Sequence, residues 1–386
     1  MSENIDVQKS QLHRIFQMVI LNDFGLGFVN IFIPVFLLKL GYSVPMVMLW
    51  SFILDLSFLL VMFVTIYCSN RIGLVHCLQI RFILLISNLW LMTILPTHHF
   101  LFFIIPVLMG SDAAFYFIPR NILFLRNTDK NSMGRSFSKL SSYPKLLTIL
   151  CPVIGAFIIS KLGFPTLFIM SMFLVFLASV PLWPLRSEKT NFIFTKDSML
   201  TVWRRSKSFF LPEIISSFAE GGGGILVIFI YINLLSVAQI GIIGSLIAVT
   251  GIFFTLTLGK LTDKWNWQKL MRIGAVAVSM VWVYSFYVGQ FMSSPWLFYL
   301  AIVLLTLSVK IFLVPYQSAL FNSGRYDDAQ FLVLREIPNV SGRLILYVVV
   351  ALLYTHLPFV FLLSALLFIY FWFLDLGKLA PSPVTV

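Results

Sequence analysis

Charge is what this chain has least of. Asp, Glu, Lys and Arg make up 11% of 386 residues, less than half the roughly 25% of an ordinary soluble domain. A soluble fold of that length has too much surface to cover with so few charges, which excludes a soluble enzyme. Acidic residues are scarcer still, 15 against 27 Lys and Arg, for a formal net charge of +12. The basic residues punctuate apolar runs and do not cluster on one module, so the excess is a topology signal, not a nucleic-acid surface. Cysteine is limited to Cys68, Cys77 and Cys151, a scattered set without metal or disulfide spacing that reads as packing residues. Catalytic patterns are missing too. His13, His76, His98, His99 and His356 fall mostly at tails, helix ends or loops, and none belongs to a His-Glu-x-x-His motif or a nucleophile pair. There is no Walker motif, so the chain hydrolyses no nucleotide by itself. No enzyme activity, cofactor or metal site is implied.

What is abundant is apolar length. Hydrophobic residues reach 59%, with 40 Phe and 9 Trp, against roughly 45–50% in soluble domains. A helical span needs about 20 apolar residues, and the runs between turn and charge signals give twelve. The first six are near 14–38, 44–67, 77–95, 100–124, 136–160 and 164–185. The second six are near 209–235, 239–259, 271–290, 295–321, 331–354 and 356–376. The apolar run after the polar stretch Met1–His13 is too long for a signal-peptide core and lacks a small-residue cleavage site, so it reads as the first span. The fold class is an all-α polytopic membrane protein, about twelve transmembrane helices in two six-helix pseudo-symmetric halves. The expected organisation is an N-terminal half at 1–187, a polar linker at 188–207 and a C-terminal half at 208–386.

Charge sets the expected orientation. With a cytoplasmic N-terminus, twenty of the 27 basic residues, Arg81 among them, fall in cytoplasmic tails, loops or helix ends. Lys39 and Lys161 fall on the other side, and Arg120, Lys145, Lys310, Arg335 and Arg343 lie within spans. That bias places both termini in the cytoplasm. The loop after the second span, Ser69-Asn70-Arg71-Ile72-Gly73, is echoed after the eighth by Gly259-Lys260-Leu261-Thr262-Asp263-Lys264-Trp265-Asn266. Asn70 and Asp263 are 193 residues apart; Pro119 and Pro315 keep an offset of 196, Pro144 and Pro338 of 194, and Asp23 and Glu220 of 197. A repeated unit of six helices in parallel orientation explains such an offset.

These loops resemble the signature of the major facilitator superfamily, a Gly-x-x-x-Asp-Arg/Lys-x-Gly-like turn after the second helix, often repeated after the eighth. Gly259, Asp263, Lys264 and Lys269 match it. In the first copy Ile66 and Asn70 replace the Gly and Asp, while Arg71 and Gly73 survive. The resemblance implies a gating role for these loops and a central cavity lined by helices one, four, seven and ten. It implies a secondary active transporter of a small solute working by alternating access, by symport or antiport with a proton or other ion. A lipid or amphiphile flippase or exporter of the same fold, and a non-transporting membrane receptor or assembly partner, are the alternatives. The implied partners are a small-molecule or amphiphilic substrate, a coupling ion and the lipid bilayer, with no nucleic acid. The one glycosylation-type triplet, Asn339-Val340-Ser341, falls inside span eleven, which suits a bacterial inner membrane.

The informative residues are the charges inside spans, each costing at least about 2.5–3.5 kcal/mol unless it faces a cavity or a partner. Asp23, Asp112 with Arg120, Glu220, and Lys310 lie on spans one, four, seven and ten, and Arg343 on span eleven. These six are the expected substrate and coupling-ion residues. Asp23 and Glu220 hold matching repeat positions, which suggests a facing pair of coupling carboxylates near mid-membrane. Asn70, Arg71, Gly73, Gly259, Asp263 and Lys264 are the expected gating residues, with Arg335 and Glu336 as a gate-closing pair. A structural salt bridge, for instance Asp112 with Lys145, is the competing explanation for the buried charges. Gly221-Gly222-Gly223-Gly224 after Glu220 permits close helix approach or local unwinding, and Pro119 and Pro315 are expected to kink their helices beside polar side chains.

Overall fold

Long apolar runs leave the backbone one way to satisfy its hydrogen bonds inside a membrane, the helix. The computed structural model describes residues 2–126, 145–185, 187, 189–190, 196–234, 236–262, 267–291, 294–322 and 329–374. Within them the helices are α1 (Ser2–Gly27), α2 (Ile33–Lys39), α3 (Val44–Arg71), α4 (Leu74–Ile94), α5 (Leu101–Arg126) and α6 (Cys151–Ser179). They continue as α7 (Lys196–Leu234), α8 (Val237–Thr262), α9 (Trp267–Phe291), α10 (Pro295–Asn322), α11 (Ala329–Leu352) and α12 (Pro358–Phe373). No strand occurs among the described residues.

These elements do not map one to one onto spans. The first span, His13–Lys39, contains α1, a 3-10 turn at Asn30–Phe32 and α2. The stretch Lys145–Leu182 is 38 residues long, about 57 Å as one helix and nearly twice the ~30 Å hydrocarbon core. Gly163, at φ 83° and ψ 172°, breaks it into two, where the sequence places the end of the fifth span and the start of the sixth. Among the described residues nine stretches are long and apolar enough to cross a membrane. Two helices fall outside that set for separate reasons: α11 carries Arg335, Glu336 and Arg343, and α12 has only 16 residues. Outward-facing Leu60, Phe157, Leu162 and Trp296 are each more than half exposed, as a lipid-contacting surface requires.

The chain divides into two compact units, Met1–Ile193 with Val237–Ser245, and Phe194–Ser236 with Leu246–Val386. Inside the first, α4 packs on α5, α1 on α6 and α4 on α6. Inside the second, α9 packs on α10, α7 on α11 and α9 on α12. Counted in spans, three–four returns as nine–ten, and the contacts of α6, which carries parts of spans five and six, with α1 and α4 parallel seven–eleven and nine–twelve.

Glycine makes two of the helix contacts possible. A Cβ on Gly110 of α5 would run into the Leu54 carbonyl oxygen, the Phe58 nitrogen and the Ser57 Cβ of α3. A Cβ on Gly342 of α11 would meet the Ile214 carbonyl oxygen, the Phe218 nitrogen and the Ser217 Cβ of α7. The same backbone-on-backbone seat is thus built once in each unit. The four-glycine run behaves otherwise. α7 passes through Gly221–Gly224 without unwinding; Gly221 and Gly222 admit Leu346 and Trp282, and Gly224 faces open space.

Candidate functional site

In the first unit the polar residues collect on α1, α4 and α5. Arg81 and Asp112 are buried, and their Nε and Oδ1 atoms are 2.8 Å apart. The Arg81 guanidinium also lies 4.4 Å from the centroid of the Tyr116 ring, one turn beyond Asp112 on α5. Arg120, a turn further on, lies over the same ring at 4.8 Å and over Phe117 at 5.0 Å. Its Nε and Nη2 donate to Asn121 Oδ1 at 3.2 and 2.9 Å. One tyrosine ring therefore serves two cations, and of the two Arg81 is the one in an ion pair among the described residues. Asp23, on α1 a turn before that helix ends at Gly27, accepts a hydrogen bond from Asn22 Nδ2 at 3.1 Å. No ion pair forms at Asp23 among the described residues.

In the second unit the acids lie on α7. Glu213 is almost fully buried and accepts from three groups: the Tyr316 hydroxyl at 2.7 Å, Arg335 Nε at 2.9 Å and Asn339 Nδ2 at 3.4 Å. Arg343 Nη1 in turn donates to Asn339 Oδ1 at 2.6 Å. Glu220, seven residues along α7 and so on the same face, accepts from the Ser216 hydroxyl at 2.7 Å. It too has no ion pair among the described residues. Pro212 precedes Glu213, and Pro315 precedes Tyr316, and both helices continue through their prolines. The Phe312 ring stacks on Tyr316 at 5.5 Å and holds the hydroxyl's approach to Glu213.

The structure redistributes the residues singled out from sequence. Asp112 pairs with Arg81, not with Lys145. Arg81 is no cytoplasmic helix end; it lies in the interior of α4, is 1% exposed, and leaves the tally of cytoplasmic charges. The carboxylate against Arg335 is Glu213 across on α7, while Glu336, the next residue along α11, is half-buried. Arg343 joins the Glu213 network through Asn339, and Lys310 lies on α10 with its Cε 4.0 Å from where a Cβ on Gly251 would sit. Asn70 and Arg71 end α3, and Gly73, at φ 91°, opens α4 in a conformation suited to glycine. Gly259 lies in the last turn of α8; Asp263 and Lys264 fall outside the described residues.

Sequence reasoning missed two participants. Arg81 lay inside the expected third span and was counted by charge alone. Glu213 lay inside the expected seventh span, and its spacing of seven from Glu220 was the available signal, since that spacing puts two acids on one helix face.

No curated protein matches the chain significantly in sequence. The fold is shared with solved structures. A bacterial homologue of the iron transporter ferroportin, in an outward-facing state with soaked iron, aligns at a TM-score of 0.63 and 14% identity, over 94% of this chain and 98% of that one. The E. coli fucose:proton symporter aligns at 0.70 and 11%, over 95% and 98%. At these identities the likeness is one of fold, and it implies twelve membrane helices in a multi-pass integral membrane protein. The family model described as Major Facilitator Superfamily matches residues 15–326, from the first expected half into the second, and on that match the chain belongs to the major facilitator superfamily of membrane transporters.

Proposed function

We propose that the protein is a secondary active transporter of a small solute, working by alternating access and coupled to a proton or another ion, with Asp23 and Glu220 as the coupling carboxylates. One observation carries the reading. Of the four carboxylates described above, Asp112 and Glu213 have Arg partners at 2.8 and 2.9 Å, while Asp23 and Glu220 take their side-chain hydrogen bonds from the neutral Asn22 and Ser216 and have no cation in ion-pair contact among the described residues. A carboxylate inside a membrane span with no cation in ion-pair contact can take up and release a proton without breaking an ion pair. The match to a transporter family and a fold shared with a proton symporter support the same reading.

Arg120, Lys310 and Arg343, with Asp112, are assigned to the substrate path, where their mixed signs suit an anionic or zwitterionic solute. The turns holding Asn70, Arg71 and Gly73, and Gly259, Asp263 and Lys264, are assigned to gating, with Arg335 and Glu336 at the end of span eleven. The organisation is a six-helix half at 1–187, a cytoplasmic linker at 188–207 and a second half at 208–386. The address is a bacterial inner membrane, which the Asn339-Val340-Ser341 triplet inside span eleven suits, with both termini cytoplasmic from the distribution of Lys and Arg.

The test is reconstitution into proteoliposomes under an imposed pH gradient, with a panel of radiolabelled solutes. Asp23→Asn and Glu220→Gln should each abolish gradient-driven accumulation and retain solute exchange, with thermal stability within about 1 kcal/mol of wild type, since each group gives up only a neutral hydrogen bond. Accumulation by both variants with the wild-type pH profile would remove these acids from the coupling step.

A further inference from the structure

The chain leaving α6 returns to the turn between α3 and α4 and is fastened there by four hydrogen bonds spanning more than a hundred residues of sequence. The Thr190 amide donates to the Ser69 carbonyl at 3.2 Å. The Thr190 hydroxyl donates to Asn70 Oδ1 at 2.6 Å. The Ser187 hydroxyl donates to the Ile72 carbonyl at 3.0 Å and accepts from the His76 amide at 3.1 Å. Thr190 is 1% exposed, while Lys189 beside it is exposed. Ser187 fills a gap that the turn creates at the His76 amide, while the Ser69 carbonyl, which already accepts from the Gly73 amide at 3.1 Å, takes the Thr190 amide as a second donor. α3 stops at Arg71 and α4 starts at Leu74, so the carbonyls of the last turn of α3 and the amides of the first turn of α4 lack intrahelical partners.

We infer that Thr190 and Ser187 are positioning residues for the α3–α4 turn, the Thr190 hydroxyl and the Asn70 amide forming a neutral clasp where the family signature has a carboxylate. Asn70 is an acceptor here, and a threonine supplies the donor from the connecting segment. Movement of the turn during transport then requires the clasp to open, and the connecting segment to leave with it.

The protein carries its own reporter. Cys77 and Cys151 are buried, and Cys68, two residues before Asn70, is the partly accessible thiol. The experiment is N-ethylmaleimide alkylation of Cys68 in the full chain in proteoliposomes, followed by intact mass, with and without an imposed pH gradient. Thr190→Val should raise the alkylation rate about three- to tenfold, the factor expected for loss of one hydrogen bond. Thr190→Ser, which keeps the hydroxyl, should restore the wild-type rate. Trypsin cleavage after Lys189 should follow the same order. A wild-type rate in Thr190→Val, or a Thr190→Ser that behaves like Thr190→Val, overturns the clasp. The gradient arm rests on the transporter reading. A gradient that changes Cys68 alkylation in the wild type and not in Thr190→Val supports the positioning role, and an unchanged response in Thr190→Val overturns it. A wild type indifferent to the gradient counts against the transporter reading and leaves the clasp to be judged by the first arm.

Discussion

The two units pair their helices alike and charge them differently. In the first, the buried ion pair joins α4 to α5, as Arg81 with Asp112. The corresponding contact in the second, α9 on α10, has no such pair among the described residues and closes with Gly274 against the backbone of Ile311 and Phe312. In the second unit the ion pair joins α7 to α11, as Glu213 with Arg335. The corresponding contact in the first, α1 on span five, has no ion pair among the described residues and closes with Gly27 against Thr148 and Cys151. Helix pairing follows from apolar faces and span length, which both halves share. Buried charge does not follow the repeat: each half places its ion pair at a different helix contact.

The comparison breaks first at the deeper pair. Arg81→Met leaves Asp112 buried without a cation and should lower stability by about 3–5 kcal/mol, read as a fall in Tm in detergent. Adding Asp112→Leu should recover most of it, and a double variant no better than the single would show that Asp112 is not held by Arg81. The second pair should be more forgiving. Glu213→Gln keeps an acceptor for Tyr316 and gives up the charge opposite Arg335, for an expected loss of about 1.5–3 kcal/mol; a loss as large as that of Arg81→Met would erase the distinction between the units. The smallest effects separate the glycines. Gly110→Ala and Gly342→Ala, each driving a methyl into a neighbouring backbone, should cost about 1–3 kcal/mol. Gly224→Ala, in open space on a continuous helix, should be neutral or stabilising by up to about 1 kcal/mol. Thermal unfolding of the three variants side by side checks the order.

Fold was legible because its determinants are one-dimensional. Span length, the spacing of turns and the offset between Pro119 and Pro315 are all written along the chain. Legibility failed wherever the answer depended on what lies across a helix contact. Arg81 sits four residues inside an expected span, yet charge counting assigned it to the membrane edge, because only the partner on α5 reveals that it is buried. Glu213 drew no notice beside Glu220, since the helix face shared by residues seven apart matters only once α10 and α11 supply Tyr316, Arg335 and Asn339. The glycine run advertised flexibility, and the backbone stayed helical because two of the four positions are filled by Leu346 and Trp282 from neighbouring helices. Asn70 read as a degraded motif position until Thr190 came to lie against it.

The corner at Gly163 has a consequence for biogenesis. Two crossings are joined there with almost no intervening chain, by a residue whose positive φ an L side chain adopts only under strain. Such a joint ties the two segments together, so residues 145–182 are expected to enter the bilayer as one helical unit. The polar backbone of the corner and the exposed Lys161 beside it then reach one membrane face in the same event.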